Sequence, residues 1–197
     1  MYKIDFKKPL HVHFIGIGGI SMSGLAEILL QAGFKVTGSD VRASAMTASL
    51  EEQGALVYIG QRATNIEDKP DLTVYTAAIS KDNEELAACR QADIPMLTRA
   101  ELLGQVMANY KNSIAVSGTH GKTTTTSMLS HIFLEADTDP TISVGGILDA
   151  IGGNIRVGNT DYFVTEACEY TNSYHAFYPK LSIILNVDAD HLDFFKD

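Results

Sequence analysis

Short apolar runs alternate with longer amphipathic stretches along nearly the whole chain. His11-Val12-His13-Phe14-Ile15-Gly16 opens the series as a strand, and Ser21–Ala32 follows with helical composition and spacing. Phe34–Asp40 predicts a second strand that ends in an acid, Ala45–Gln53 a helix stopped by Gly54, and Leu56–Ile59 a short strand. Leu72–Thr76, a helix from Asn83 to Ala92, Pro95–Leu97 and a helix over Arg99–Tyr110 complete a first half. The cycle then restarts. Ser113–Val116 predicts a strand, Lys122–Glu135 its helix, and Thr141–Val144, Tyr162–Thr165 and Leu181–Val187 three further strands. Strands alternating with helices predict an α/β fold with parallel sheets covered on both faces. The boundary between two domains, 1–110 and 111–197, is placed near Asn109–Ser113, without a Pro- or Ser-rich linker to mark it. No sequence repeat or low-complexity segment interrupts the pattern.

Bulk properties narrow the class. Of 197 residues, 45% are hydrophobic and 20% charged, the balance of an ordinary globular protein with a sizeable core. No apolar run reaches the roughly 18–20 residues that cross a bilayer. The basic N-terminus runs into a glycine loop instead of an export signal, so a cytoplasmic protein with no membrane partner is expected. Two cysteines, Cys89 and Cys168, are too few and too far apart for a disulfide framework or a zinc site, and read as reduced thiols. A net charge of −9 speaks against a general nucleic-acid surface. It does not exclude nucleotides, because one loop of backbone N–H groups holds phosphate locally.

Two glycine loops, each between a strand and a helix, carry the candidate chemistry. The stronger is Gly118-Thr119-His120-Gly121-Lys122-Thr123-Thr124. Its glycines let successive N–H groups face phosphate oxygens, Lys122 can reach the β- and γ-phosphates, and the Thr123 hydroxyl suits magnesium. The pattern G-x-x-x-x-G-K-[ST] asks for glycine where Val116 stands. The plain alternative is a turn that merely starts a helix. The weaker loop, Gly16-Ile17-Gly18-Gly19-Ile20-Ser21-Met22, follows the first strand, with Asp40 at the end of the second in the position of a ribose-binding acid. Ser21 occupies the third glycine position of G-x-G-x-x-G. Spacing alone leaves three readings of this loop open: NAD(P), another diphosphate such as a UDP-sugar, or a tight turn without a ligand.

Taken in order, the motifs resemble the Mur ligases, ATP-dependent enzymes of bacterial peptidoglycan precursor synthesis. The resemblance runs from His13–Gly19 through Gly38-Ser39-Asp40, Thr76–Ser80, Arg99-Ala100-Glu101, the lysine loop, Val144-Gly145-Gly146 and Glu166–Glu169 to Asn186–His191. The family's loop lacks the first glycine, so Val116 fits it. The resemblance implies a Rossmann-like N-terminal domain that binds UDP-N-acetylmuramate, with Gly16, Gly18, Gly19, Ser21 and Met22 around the diphosphate and Ser39 and Asp40 near the nucleoside. It implies next a truncated P-loop α/β domain that binds ATP and Mg2+ through Gly118–Thr124. Thr123, Glu166 and His191 would be metal ligands, and Lys122, His120, Glu166 and His191 the catalytic set.

The reaction implied is amide formation through an acyl phosphate, with L-alanine as the amine. A second branch of the family, which reattaches a ready-made peptide to the same sugar nucleotide, carries a basic and aromatic insertion after the glutamate that this chain lacks. Two other classes stay in view: an NAD(P)-dependent oxidoreductase built on the first loop, and an inactive nucleotide-binding fragment. The lysine loop speaks against the oxidoreductase. The resemblance further implies that adenine-binding and amine-binding parts lie outside these residues, so that the chain alone binds the UDP-sugar without completing ligation. An exposed sheet edge in the second domain would then offer a route to self-association.

Overall fold

The computed structural model describes residues 3–168 and 170–189. The chain divides into two compact units, Met1–Leu102 and Leu103–Asp197. This division falls inside a helix, Arg99–Met107, a few residues before the boundary placed near Asn109–Ser113 from the sequence.

In the first unit, β1 (His11–Ile15) lies at the centre of a five-stranded sheet in the order β3-β2-β1-β4-β5. Its neighbours are β2 (Lys35–Asp40) and β4 (Leu72–Tyr75), with β3 (Leu56–Ile59) and β5 (Met96–Thr98) at the edges. All pairings are parallel; Phe14 faces Gly38 on one side and Val74 on the other. Every residue of β1 is buried, as expected where helices cover both faces of a sheet. Strand order reverses direction at β1, so the crevice at its carboxyl end is where open α/β sheets take ligands. Helices α1 (Ile20–Gln31), α2 (Ala45–Glu52) and α3 (Glu84–Gln91) connect the strands, and α4 is the Arg99–Met107 helix. Caps define two of the starts: Ser44 and Thr47 form a reciprocal capping box on α2, and Asn83 Oδ1 accepts from Leu86 N at 2.9 Å on α3. Ile15, Ile66, Leu86, Cys89 and Ile94 pack into one apolar cluster. Burial pushes the Cys89 thiol above its ordinary pKa.

The second unit is a sheet in the order β10-β6-β9-β7-β8. Its strands are β6 (Asn112–Ser117), β7 (Thr141–Leu148), β8 (Gly153–Arg156), β9 (Tyr162–Glu166) and β10 (Leu181–Ile184), with α5 (Lys122–Glu135) following β6. Four strands are parallel. β8 returns antiparallel to β7, an element not expected from its sequence, Gly153-Asn154-Ile155-Arg156, which has neither alternation nor an apolar run. β10 ends at Ile184, short of the expected Val187, because Leu185 N and the backbone beyond turn toward the loop after β6. An ion pair clasps the β7–β8 corner: Arg156 donates to Asp139 Oδ1 and to the Pro140 carbonyl, while Asn159 N donates to Asp139 Oδ2. These donors hold the Asp139 carboxyl down at about 2. Among the described residues, no helix is long and apolar enough to cross a membrane.

Candidate functional site

Each unit carries its own site at the carboxyl ends of its parallel strands, after β1 in the first and after β6 and β9 in the second. In the first, the chain leaves β1 through Gly16, whose φ of 86° belongs to the left-handed region that favours glycine. Gly16 N and Ile17 N both donate to the Ser39 carbonyl, at 2.8 and 2.9 Å, which ties the loop to the end of β2. Gly18 N donates to Asp40 Oδ2 at 2.8 Å, and a Cβ at Gly18 would stand 2.9 Å from that oxygen. Gly16, Gly19, Asp40, Gln61, Thr76 and Asn83 line a cavity of about 440 Å³, a size that suits a nucleotide-class ligand. The first N–H groups of α1, which begins right after Gly19, have no intrahelical acceptor and form a natural anion site there.

The expected residues divide. Gly16, Gly19 and Asp40 line the cavity, with Gly18 beside Asp40 and Ser21 exposed on the first turn of α1. Met22 and Ser39 present no side chain to the cavity. The Met22 side chain is 2% exposed in the core beneath α1, because it falls on the helix's inward face, so only its backbone can serve a ligand. Ser39 is fully buried, its hydroxyl donates to Glu85, and its carbonyl holds the loop. Gln61 and Asn83 line the cavity and were not singled out from sequence; Asn83 Nδ2 donates to Gln61 Oε1 at 2.7 Å. His11, the first residue of β1, is buried with Nε2 2.9 Å from Thr37 Oγ1.

In the second unit the loop leaves β6 at Gly118, with φ 139°, and enters α5 through Gly121, with φ 85°. These two conformations turn the backbone around a concave surface, and α5 contributes its positive dipole end. Lys122 lies on the loop, its Nζ donating to the carbonyls of Gly118 at 2.6 Å and Thr119 at 3.2 Å. Thr123 Oγ1 donates to Glu166 Oε2 at 3.1 Å, and Gly145 N donates to Glu166 Oε1 at 2.6 Å. Glu166 is the last residue of β9, which pairs directly with β6. Two hard oxygen donors, a hydroxyl and a carboxylate, therefore meet beside the loop, a donor set that fits magnesium.

Asn186, just past β10, clamps the loop from the other side. Its Oδ1 accepts from His120 N at 2.8 Å and its Nδ2 donates to the His120 carbonyl at 3.0 Å. Thr119 is held likewise, its hydroxyl donating to the Asp188 carbonyl and accepting from Asp188 N. In the sequence Asn186 and Asp188 stand only as members of the motif Asn186–His191, without a role; the contact across 66 residues is visible only in three dimensions. The structure thus brings together Gly118, Thr119, His120, Gly121, Lys122, Thr123 and Glu166, with His120 and Thr124 exposed. His191, the remaining expected ligand, lies outside the described residues. Among the described residues, no group of three or more His, Cys, Asp or Glu side chains forms a metal-binding cluster.

Comparison with known proteins matches both units. The catalytic domain of the Mur ligase family matches residues 11–111, and the Mur ligase middle domain matches residues 116–197. A protein of Agathobacter rectalis named UDP-N-acetylmuramate–L-alanine ligase is 66% identical over 197 residues, which are 100% of this chain and 43% of that protein. The crystal structure of UDP-N-acetylmuramate–alanine ligase from Thermotoga maritima matches with a TM-score of 0.82 and 34% identity, over 95% of this chain and 44% of that one. That of UDP-N-acetylmuramate:L-alanyl-γ-D-glutamyl-meso-diaminopimelate ligase from Neisseria meningitides matches with a TM-score of 0.81 and 30% identity, over 96% and 64%. The chain spans less than half the length of the Agathobacter relative. With a glycine loop between a parallel strand and a helix in each unit, and both domain types matched along its length, the chain belongs to the Mur ligase family.

Proposed function

We propose that this chain provides the UDP-N-acetylmuramate-binding part (residues 1–110) and the ATP-binding part (residues 111–197) of a ligase that joins L-alanine to UDP-N-acetylmuramate. The observation that carries the reading is the convergence of Lys122, Thr123 and Glu166 at one phosphate-type loop, in a chain 66% identical to a named alanine-adding ligase. The peptide-joining alternative rests on a relative at 30% identity and is the weaker of the two. An ATP-dependent reaction and two free thiols fit a cytoplasmic enzyme.

In the proposed reaction, a carboxylate oxygen of the sugar acid attacks the γ-phosphorus of ATP and ADP departs. The amine of L-alanine then attacks the acyl phosphate carbon; phosphate leaves, the nitrogen loses a proton, and the amide remains. The loop N–H groups of Gly118–Thr124 hold the phosphates, while Lys122 turns from the carbonyls of Gly118 and Thr119 toward the charge that shifts during transfer. Magnesium, held by Thr123 and Glu166, would neutralise the phosphate oxygens. Gly145 N fixes the Glu166 carboxylate, and a Cβ at Gly145 would stand 2.8 Å from Glu166 Oε2, so the glycine keeps that carboxylate in place. The His120 imidazole, on an exposed part of the loop, can donate to a phosphate or to the substrate carboxylate. Asp40 and the start of α1 serve the UDP-sugar.

Calorimetry of the chain with UDP-N-acetylmuramate, ATP–magnesium and NADH side by side tests the reading. Saturable binding of the UDP-sugar that Gly18→Val removes is expected, since a side chain there collides with Asp40 and with Thr47. Saturable NADH binding with no UDP-sugar binding would overturn it.

A further inference from the structure

Behind the first cavity lies a polar network that the proposed reaction does not use. Glu85, in the first turn of α3, is fully buried, as are His13 and Ser39. Its Oε2 accepts from the Ser39 hydroxyl, and its Oε1 accepts from Asn65 Nδ2 at 3.0 Å and lies 2.8 Å from His13 Nε2. His13 Nδ1 in turn lies 2.7 Å from Thr37 Oγ1. A carboxylate out of water needs such donors, and the plain reading is a satisfied core ion pair.

The second link of each branch points elsewhere. Ser39 carries on its carbonyl the N–H groups of Gly16 and Ile17, so the first branch ends in the glycine loop. Asn65 Nδ2 also donates to the Gly60 carbonyl at 2.8 Å, so the second ends beside Gln61. Glu85 itself lies two residues after Asn83, and Asp40 directly follows Ser39. Gly16, Asp40, Gln61 and Asn83 come from four separate segments, and all line the cavity.

We propose that Glu85 is the positioning residue of the UDP-sugar site: one buried carboxylate that holds the four cavity-lining segments in their binding geometry before the ligand arrives. Apolar packing would bring the same segments together without direction, whereas these hydrogen bonds fix where each backbone group points. A cavity shaped in advance spares the ligand the ordering of three loops and a helix start. The ligand named here rests on the proposed function; the positioning role rests on the network.

The test measures amide hydrogen exchange in the ligand-free chain, residue by residue, together with calorimetric affinity for UDP-N-acetylmuramate. Ser39→Ala keeps the carboxylate and cuts only the loop branch. It is expected to speed exchange of Gly16 and Ile17 about tenfold and leave Gly60 unchanged. Asn65→Ala cuts the other branch and is expected to do the reverse, through the Gly60 N–H that donates to the Asp40 carbonyl at 2.7 Å. Glu85→Ala is expected to loosen both segments and weaken UDP-sugar binding about tenfold or more. Should Glu85→Ala not fold, the two branch variants decide. Uniform acceleration throughout the first unit, or no change at Gly16 and Ile17 in Ser39→Ala, would show Glu85 to be a core ion pair and nothing more. Failure of the unaltered chain to bind the UDP-sugar would refute the ligand, while the exchange pattern would still decide the positioning role.

Discussion

Gly38→Ala should be among the more damaging single-methyl additions in the first unit. Gly38 lies in β2 opposite Phe14, and a Cβ there would stand 2.7 Å from Ile17 Cδ1, 2.8 Å from Ile17 Cβ and 2.8 Å from the Phe14 carbonyl oxygen. Carbon atoms rest at about 3.5–4.0 Å, so the methyl arrives nearly an ångström too close on two sides. Neither neighbour yields easily. Phe14 O belongs to the backbone of the central strand, and Ile17 is fully buried with its N–H on the Ser39 carbonyl.

Overpacking of this kind costs about 1–3 kcal/mol, and a clash with backbone places it at about 3. Removing a glycine from the unfolded chain returns about 0.5–1 kcal/mol. The net loss is about 2 kcal/mol, roughly thirtyfold faster exchange of those β1 amides that open only on unfolding of the unit. A double-mutant cycle identifies the cause. Ile17→Val alone should destabilise by about 1 kcal/mol, but in the Gly38→Ala background it removes the nearest clashing carbon and should be neutral or stabilising. Gly153→Ala, where a Cβ meets nothing within 4 Å, is the control. Equal effects of Ile17→Val in both backgrounds, or wild-type exchange in Gly38→Ala, would refute the argument.

Asn186→Ala removes both hydrogen bonds that hold the His120 peptide, and should weaken ATP binding about five- to thirtyfold, the equivalent of about 1–2 kcal/mol in loop ordering; unchanged calorimetric affinity would count against the clamp. Lys122→Ala, assayed in the intact enzyme, should lower turnover by a hundredfold or more, about 3–4 kcal/mol, because its charge matters most where phosphoryl charge moves. Near-normal turnover with only a raised KM for ATP would assign it to ground-state binding. Asp139 titrates at about 2 in the folded chain against an ordinary 3.8, so the unfolded state binds the proton more tightly. The clasp's contribution is therefore complete above pH 4 to 5 and declines as pH falls toward about 2. Thermal melts between pH 7 and pH 2 should show Asp139→Asn losing stability at neutral pH and converging on the wild type in acid.

Periodicity and turn chemistry alone determined the alternating elements of both units. The helix Lys122–Glu135 is read with the bounds it has in the structure, because a glycine loop opens it and its pattern runs on unbroken by Gly or Pro, although four threonines fill its first turn. Both glycine loops are legible for the same local reason: strand, glycines and helix start are adjacent in sequence. Other features became visible only when distant segments met. The acid at Glu85 looks like a first-turn charge favoured by a helix dipole; that it is buried depends on donors from residues 13, 39 and 65, which the sheet order brings beneath α3. Met22 ends the glycine motif and begins the predicted helix; which way its side chain points is set by the rotation of α1 against the sheet, which sends it into the core. β8 exists because β7 offers it an edge, and its four residues carry no pattern of their own. Asn186 became a clamp because β10 lies beside β6, which sets its amide opposite the His120 peptide. Local hydrogen bonding and amphipathic spacing fix what a segment is, while sheet order and register decide what it touches, and a site assembled across strands belongs to the second kind.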